Sequence, residues 1–181
     1  ELSPDAVILA VGAVPLEPPI PGIDLPHVTN SHDVLAGKIP QGNNVVIIGG
    51  GLVGLEVAEY LADMGKTVTV VEMLDEVGKD LGQLRKICVM ESIYALGINT
   101  MVKTKCLEIR EGSVLVEKEG QVQELAADSV VIATGARSRA FEKLASYCEE
   151  KGIPYYVVGD ALSPRRALNA IAEAAEVARQ I

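Results

Sequence analysis

The chain has 181 residues, 49% of them hydrophobic and 23% charged, so it can bury the core of an ordinary domain and is not a disordered segment. Its formal net charge is −9 at pH 7, and an acidic surface repels phosphate backbones, which argues against nucleic-acid binding. No apolar run is long enough to span a bilayer and no signal-peptide pattern is present, so we expect a cytoplasmic protein without a membrane segment.

A proline-rich segment separates the first two predicted strands. Residues 5–11 form a short apolar run that predicts a buried strand ending at Gly12. Residues 14–26 contain five prolines, which lack the N–H that strands and helices use, so we predict an extended connector there. Ser31 then becomes a candidate N-cap for a short helical turn.

The middle of the chain alternates apolar strands with amphipathic helices. The pattern predicts strand, helix, strand, helix and strand, in that order, at residues 44–49, 52–64, 67–71, 84–96 and 98–102. Continuous apolar strands separated by helices are typical of a parallel sheet whose faces are both covered. We therefore predict an α/β fold with a Rossmann-like parallel sheet and helices on both faces.

The pattern changes in the second half of the chain. Segments with more alternation are joined at Glu111-Gly112 and Glu119-Gly120, which are typical hairpin turns. We predict an antiparallel three-stranded β-meander at residues 105–110, 113–118 and 122–125. A strand, a helix, a strand and a helix follow at residues 129–133, 140–150, 155–158 and 167–181.

The glycine-rich stretch after the second strand matches the dinucleotide fingerprint G-x-G-x-x-G. Gly49 allows a tight turn, Gly51 lets a pyrophosphate approach the backbone, and Gly54 lets the helix lie close to the strand. The helix N-terminus offers N–H groups and a positive dipole end to the phosphates. The predicted contact residues are Gly49, Gly50, Gly51, Leu52, Val53 and Gly54.

An acid at the end of the following strand selects among dinucleotides. Glu72 can accept hydrogen bonds from the ribose hydroxyls of adenosine and would repel a 2′-phosphate. The four residues that follow it, Met73 to Glu76, include no arginine that could receive such a phosphate. We therefore expect NAD(H) as the cofactor, with Glu72 and Met73 at its adenosine end.

Several further motifs resemble those of a known family. The chain resembles the flavoprotein pyridine-nucleotide reductases, in which an NAD(P) domain is inserted into an FAD domain. The resemblance rests on four stretches: VILAVGAVP, VVIATGARS, YYVVGDA and GGGLVGLE. VVEMLDEVGKDLG and the last 25 residues look like the C-terminal region of NADH:flavin oxidoreductases related to old yellow enzyme, which include 2,4-dienoyl-CoA and 2-enoate reductases. Val11 departs from the family pattern, which has threonine at that crossing between domains.

The resemblance implies a domain plan and further cofactors. It implies FAD-domain pieces at residues 1–37 and 154–181 around an NAD-binding domain at residues 38–153, with Asp160 contacting FAD. The chain lacks the first half of an FAD domain, so that FAD site is incomplete, and it begins at Glu1, as a piece of a longer protein would. FMN and an iron–sulfur cluster are implied for the intact protein only.

Four residues outside the fingerprint keep two interpretations each. By resemblance Glu56 lies near the nicotinamide and the flavin, but it is also an ordinary helix carboxylate. Thr134 and Gly135 border the nicotinamide or form a plain turn, since ligands bind beyond the carboxyl ends of parallel strands. Arg165 meets a phosphate or begins a helix. We identify no catalytic side chain, and the three cysteines, Cys88, Cys106 and Cys148, fit buried reduced thiols better than a metal site.

The combined prediction is an NADH-binding region of a flavoprotein oxidoreductase, whose partner is the rest of the flavoprotein. In the intact enzyme hydride passes to a flavin, and the resemblance implies an enoate or enoyl acceptor. The alternatives are a stand-alone NAD-binding module and part of an NADH oxidase or disulfide reductase. We also expect the strands at 5–11 and 155–158 to pair beneath the last helix, leaving apolar edges that favour a homodimer.

Overall fold

The computed structural model describes residues 3–181, which fall into a larger unit, Pro15–Gly135, and a smaller unit made of residues 3–14 and Ala136–Ile181. The strands are β1 (Val7–Leu9), β2 (Ala13–Pro15), β3 (Val28–Asn30), β4 (Asn44–Ile48), β5 (Thr67–Val71), β6 (Asn99–Met101), β7 (Thr104–Arg110), β8 (Ser113–Lys118), β9 (Gln121–Ala126), β10 (Ser129–Ile132), β11 (Ala136–Ser138) and β12 (Tyr155–Val157). The α-helices are α1 (Ser31–Leu35), α2 (Leu52–Asp63), α3 (Gln83–Ala95), α4 (Glu142–Lys151) and α5 (Ala167–Ala178), with a 3-10 turn at Gly159–Ala161.

A five-stranded parallel sheet forms the centre of the larger unit, in the order β3-β10-β4-β5-β6. The register places Ile47 of β4 between Val131 of β10 and Val70 of β5. From β4 the chain continues to β5 and β6 on one side, while β10 and β3 lie on the other. The order therefore reverses between β4 and β10, and ligands of open α/β sheets bind at such a reversal.

The two faces of this sheet are covered by different kinds of structure. Side chains of α1, α2 and α3 fill one face, where Leu55 and Leu61 are fully buried. The meander β7-β8-β9 covers the other face with Ile109, Val114 and Val116. The predicted fold class is confirmed, but helices lie on one face only, because the alternating strands of the meander have an apolar side that must also be buried.

Helix boundaries follow the predicted signals, with one exception. Helix α2 ends at Asp63, and Gly65 after it adopts a φ of 82°, as expected of a glycine that terminates a helix. Helix α1 is capped by Asn30 and not by Ser31, since the Asn30 side chain accepts the Asp33 N–H at 2.9 Å.

The prediction of buried thiols holds for Cys106 and Cys148, whereas Cys88 is exposed.

In the smaller unit, β1 and β12 pair in parallel, with Val7 opposite Tyr155, as predicted. The last helix differs from the prediction, because α5 has no buried residue and therefore does not seal this strand pair. Its Leu168 and Ile171 side chains are 76% and 66% exposed. Helix α5 instead meets the 3-10 turn, where the Gly159 N–H donates to the Glu173 Oε2 at 2.8 Å.

The two compact units divide the chain at residues 14–15 and 135–136. The division into an NAD-binding domain and FAD-domain pieces at residues 37 and 153 stays a prediction. Strand β3, which the sequence pattern did not predict, pairs with β10 inside the five-stranded sheet, so the segment before residue 38 joins the larger unit. Helix α4 belongs to the smaller unit. Within residues 3–181, no helix combines the length and apolarity needed to cross a bilayer.

Candidate dinucleotide-binding site

The turn after β4 needs glycine at its first position. Gly49 has a φ of 109°, and a Cβ there would lie 2.4 Å from the Ala133 carbonyl oxygen. The Gly49 N–H donates to the Val71 carbonyl at 2.9 Å, which holds the turn against the end of β5. A side chain at Gly49 would therefore strain the backbone and push β10 away from β4.

The close approach predicted for Gly54 is present. A Cβ on Gly54 would lie 2.0 Å from the Gly49 carbonyl oxygen, well inside contact distance. The first turn of α2 therefore lies directly on the end of β4, which brings the N–H groups at the helix start to the carboxyl edge of the sheet. Helix N-termini at this position bind anions through those N–H groups and the helix dipole.

Glu72 fastens the glycine turn to the end of β5. Its side chain is only 8% exposed, its Oε2 accepts the Gly50 N–H at 2.7 Å, and its Oε1 accepts the Leu74 N–H at 2.8 Å. A carboxylate has about four lone-pair positions, and these two bonds leave capacity for a further donor. The acid predicted from the sequence thus has a structural role beside any contact with ribose. Met73, next along the chain, is exposed.

A loop at residues 73–82, which we call the acidic loop, lies over the glycine turn. Val77 is buried, and its Cγ1 lies where it would contact any side chain on Gly50. The Gly78 N–H donates to the Gly50 carbonyl at 2.7 Å. Both oxygens of Asp80 accept the Leu52 N–H at 3.1 Å.

Sequence reasoning did not single out Asp80. The available signal was its place among the acids that follow Glu72, in the stretch EMLDEVGKD. Nothing in the local pattern shows which of these carboxylates returns to the helix start, because that depends on the path of the loop.

The remaining predicted residues of the larger unit lie at the same end of the sheet. Glu56 on α2 pairs with Arg85 on α3 at 2.6 Å, so it is held by a cation. The Thr134 hydroxyl donates to the Leu16 carbonyl at 2.9 Å, and the Gly135 carbonyl accepts the Leu16 N–H at 2.9 Å. Thr134 and Gly135 therefore hold the start of the connector beyond β10, and their contact with a ligand stays a prediction.

Asp160 lies in the smaller unit, in the 3-10 turn. Its Oδ1 accepts the Arg165 N–H at 3.1 Å. The Arg165 guanidinium bonds to Glu173, and the Gly159 N–H and then Arg165 lower the pKa of that carboxyl below its usual value. The Arg165 guanidinium is thus already paired within the chain, and this weakens the interpretation that it meets a phosphate.

The larger unit meets the geometric requirements of a dinucleotide site. A Cβ at Gly49, Gly50 or Gly54 would collide with neighbouring atoms, whereas at Gly51 its nearest neighbour, Asp80 Oδ2, would lie 3.5 Å away. The glycine turn stands at the reversal of strand order. A carboxylate lies at the end of the next strand. For FAD the fit is partial, since the sequence contains a single G-x-G-x-x-G stretch, and that stretch is the one in the larger unit.

The chain is similar to parts of longer oxidoreductases. It is 40% identical over 185 residues to an NADH oxidase of Thermoanaerobacter brockii, covering 99% of this chain and 28% of the oxidase. It is 38% identical over 180 residues to a bilirubin reductase of Mediterraneibacter gnavus, again covering 99% of this chain and 28% of the relative. A solved complex of 2-naphthoyl-CoA reductase with 2-naphthoyl-CoA matches 94% of this chain and 26% of its own, with a TM-score of 0.84 and 32% identity.

The chain therefore spans little more than a quarter of these relatives. A family model described as pyridine nucleotide-disulphide oxidoreductase matches residues 1–174. Both the glycine turn and the turn that holds Asp160 lie within the matched residues. The chain belongs to the pyridine nucleotide-disulphide oxidoreductase family.

Proposed function

We propose that this chain is the NAD(H)-binding region of a flavoprotein oxidoreductase. The observation that carries the proposal is the glycine turn at the carboxyl end of β4, fastened by Glu72 at the point where the strand order reverses. The family match supports a pyridine nucleotide as the ligand. We assign this binding to the larger unit and FAD contacts, through Asp160, to the smaller unit.

Each residue at the sheet edge receives a role in this proposal. The N–H groups of Gly51, Leu52 and Val53 face the pyrophosphate, and Gly51 lets it approach the backbone. Gly49, Gly50 and Gly54 allow the tight turn and the close contact of α2 with β4. Glu72 accepts ribose hydroxyls with its unused lone pairs, while Met73 borders the adenosine. No arginine among residues 73–76 offers a partner to a 2′-phosphate, which favours NADH over NADPH.

Glu56, Thr134 and Gly135 are proposed to border the nicotinamide. All three lie beyond strand ends on the same edge of the sheet as the glycine turn or on the helix that follows it. When bound, NADH supplies the hydride, and a flavin in the intact enzyme receives it. Arg85 holds the Glu56 carboxylate in place through their 2.6 Å ion pair.

The electron acceptor is proposed from resemblance. VVEMLDEVGKDLG and the last 25 residues favour the enzymes related to old yellow enzyme, which reduce enoate or enoyl groups and carry FMN and an iron–sulfur cluster elsewhere in the protein. The named relatives differ in what their names say they act on, bilirubin in one and 2-naphthoyl-CoA in another. Because they share this region, we infer that the acceptor is selected by parts of the enzyme outside it.

Isothermal titration with NADH and NADPH tests the cofactor assignment. We expect NADH to bind at least about tenfold more tightly than NADPH, and Glu72→Ala to weaken NADH binding while narrowing that preference. Glu91→Ala, at an exposed carboxylate of α3, is the matched control and should change neither affinity. Absence of NADH binding at millimolar concentration in the wild type and in every folded variant would overturn the proposal, and an unchanged preference in Glu72→Ala would overturn the role of the acid.

A second candidate function is part of an NADH oxidase, which the 40% identity to such an enzyme favours. The discriminating measurement is oxygen consumption by the intact enzyme with NADH, compared with reduction of a cinnamate-type or enoyl-CoA acceptor under anaerobic conditions. Rapid oxygen uptake without acceptor reduction would support the oxidase. A third possibility, an NAD-binding module without catalysis, requires that the intact protein carry no flavin.

A further inference from the structure

The N–H group at the start of α2 already has an anionic partner within the chain. Both Asp80 oxygens lie 3.1 Å from the Leu52 nitrogen. Asp80 Oδ2 also lies 3.5 Å from the point where a Cβ on Gly51 would be. The carboxylate thus stands beside the second glycine of the fingerprint, at the place where the dinucleotide site proposed above needs room for a pyrophosphate.

The acidic loop carries this carboxylate and is anchored on the glycine turn. The Gly78 N–H bond to the Gly50 carbonyl and the buried Val77 side chain hold the loop down. The other charged side chains of the loop pair away from α2, Asp75 with Lys79 at 3.3 Å and Glu76 with Lys86 at 2.5 Å. Of these loop acids, Asp80 is the one whose carboxylate contacts the helix N-terminus.

We propose that Asp80 occupies the phosphate position of the dinucleotide site and must be displaced before NADH binds there. This inference rests on the proposed function, because it concerns the same site. Two anions cannot share one N–H donor, and a carboxylate left beside the pyrophosphate would repel it. Asp80 therefore lowers the affinity for NADH and makes binding depend on movement of the acidic loop.

A structural helix cap and a competing anion predict opposite effects on binding. If Asp80 only stabilises the start of α2, its removal loosens the site and weakens NADH binding together with thermal stability. If Asp80 competes with the ligand, its removal lowers the melting temperature but strengthens binding. The sign of the change in affinity, set against the change in stability, separates the two roles.

The test is titration of the full chain with NADH and separately with inorganic pyrophosphate, for Asp80→Asn and Asp80→Ser. Both variants keep an oxygen that accepts the Leu52 N–H and remove the negative charge, so that folding is retained in at least one of them. We expect about tenfold tighter binding of NADH and a comparable gain for pyrophosphate. Glu76→Gln removes a charge from the same loop without touching α2 and should change the affinity by less than about twofold.

The outcomes separate this inference from the proposed function. Tighter binding in the Asp80 variants, including binding seen only in them, supports both. Binding by the wild type that is unchanged or weaker in folded Asp80 variants overturns the inference and leaves the NADH site standing. No binding of NADH by wild type or any folded variant overturns the proposed function and the inference with it. An equal gain in Glu76→Gln would show a general charge effect and would also overturn the assignment to Asp80.

Discussion

Both units contain strands and helices, but the side chains of these elements are buried to different extents in the two units. In the larger unit, helices and a meander cover the two faces of the sheet, and β4 and β10 are almost entirely inaccessible. In the smaller unit, β1 and β12 contain one buried residue between them, Leu9, and α5 contains none. A dinucleotide site needs fixed backbone N–H groups, and only the larger unit provides a packed scaffold to hold them.

The largest expected effect is the removal of a core side chain from the larger unit. Leu55 is fully buried between α2 and the sheet, so Leu55→Ala should lower the free energy of unfolding by about 2–5 kcal/mol. Leu168→Ala, the same change on the exposed face of α5, should cost less than about 0.5 kcal/mol. Urea unfolding followed by circular dichroism measures both. Equal losses would contradict the contrast between the units.

A smaller loss is expected at the contact between helix and strand in the site. Gly54→Ala places a Cβ 2.0 Å from the Gly49 carbonyl oxygen, and forcing α2 away should cost about 1–3 kcal/mol and disrupt NADH binding. Gly82→Ala is the control, since a Cβ there meets nothing within 4 Å and its φ of −67° suits any residue. A Gly54→Ala variant with wild-type stability would show that the sheet edge tolerates a wider gap.

The exposed apolar side chains of the smaller unit predict association between copies of the chain. Light scattering should detect a dimer in the wild type and mainly monomer in Ile171→Glu, because a charge on this face opposes burial. Leu84→Glu, at a side chain of α3 that is 82% exposed in the larger unit, should leave the dimer intact. A strictly monomeric wild type would contradict this prediction.

The smallest expected effect is a loss of folding stability at low pH, which involves Asp128 beside the start of β4. Asp128 Oδ2 accepts the N–H groups of Asn44 and Asn43 at 2.8 Å, and these bonds lower the pKa of its carboxyl below the usual 3.8. A lowered pKa means that the stabilisation is present above about pH 3.8 and is lost as pH falls through the folded-state value.

Asp128→Asn should therefore flatten the pH dependence of unfolding between pH 5 and pH 2, which urea titrations at several pH values would detect. Asp63→Asn, at the exposed end of α2, serves as the control. If Asp128→Asn and wild type lose stability in parallel on acidification, the bonds to Asn43 and Asn44 do not supply the effect.

Much of the larger unit could be predicted because its elements carry strong local signals. The bounds of β5 and β8 are those expected, and the helices α2 and α3 begin and end within one residue of the predicted positions. In the smaller unit, the pairing of β1 with β12, expected of the two pieces that flank the NAD-binding domain, is confirmed. Strands β2, β3 and β11 were missed, because each has only three residues and their pairing partners are distant in sequence.

The candidate site also has parts that could be predicted from the sequence and parts that could not. The glycine spacing and the acid at the end of β5 are local in sequence, since a tight turn, a close helix and a strand end each require particular residues at particular positions. Family membership rests on a family model that matches residues 1–174.

The amino-acid sequence by itself determined that a strand, a glycine turn and a helix would meet at Gly49 to Gly54, because backbone sterics allow few other residues there. Only the tertiary structure decided how the surrounding charges are used. It binds Glu72 to the turn, pairs Glu56 with Arg85, and returns Asp80 to the Leu52 N–H. These contacts depend on how loops and helices pack in space, and local sequence patterns do not encode which carboxylate reaches which donor.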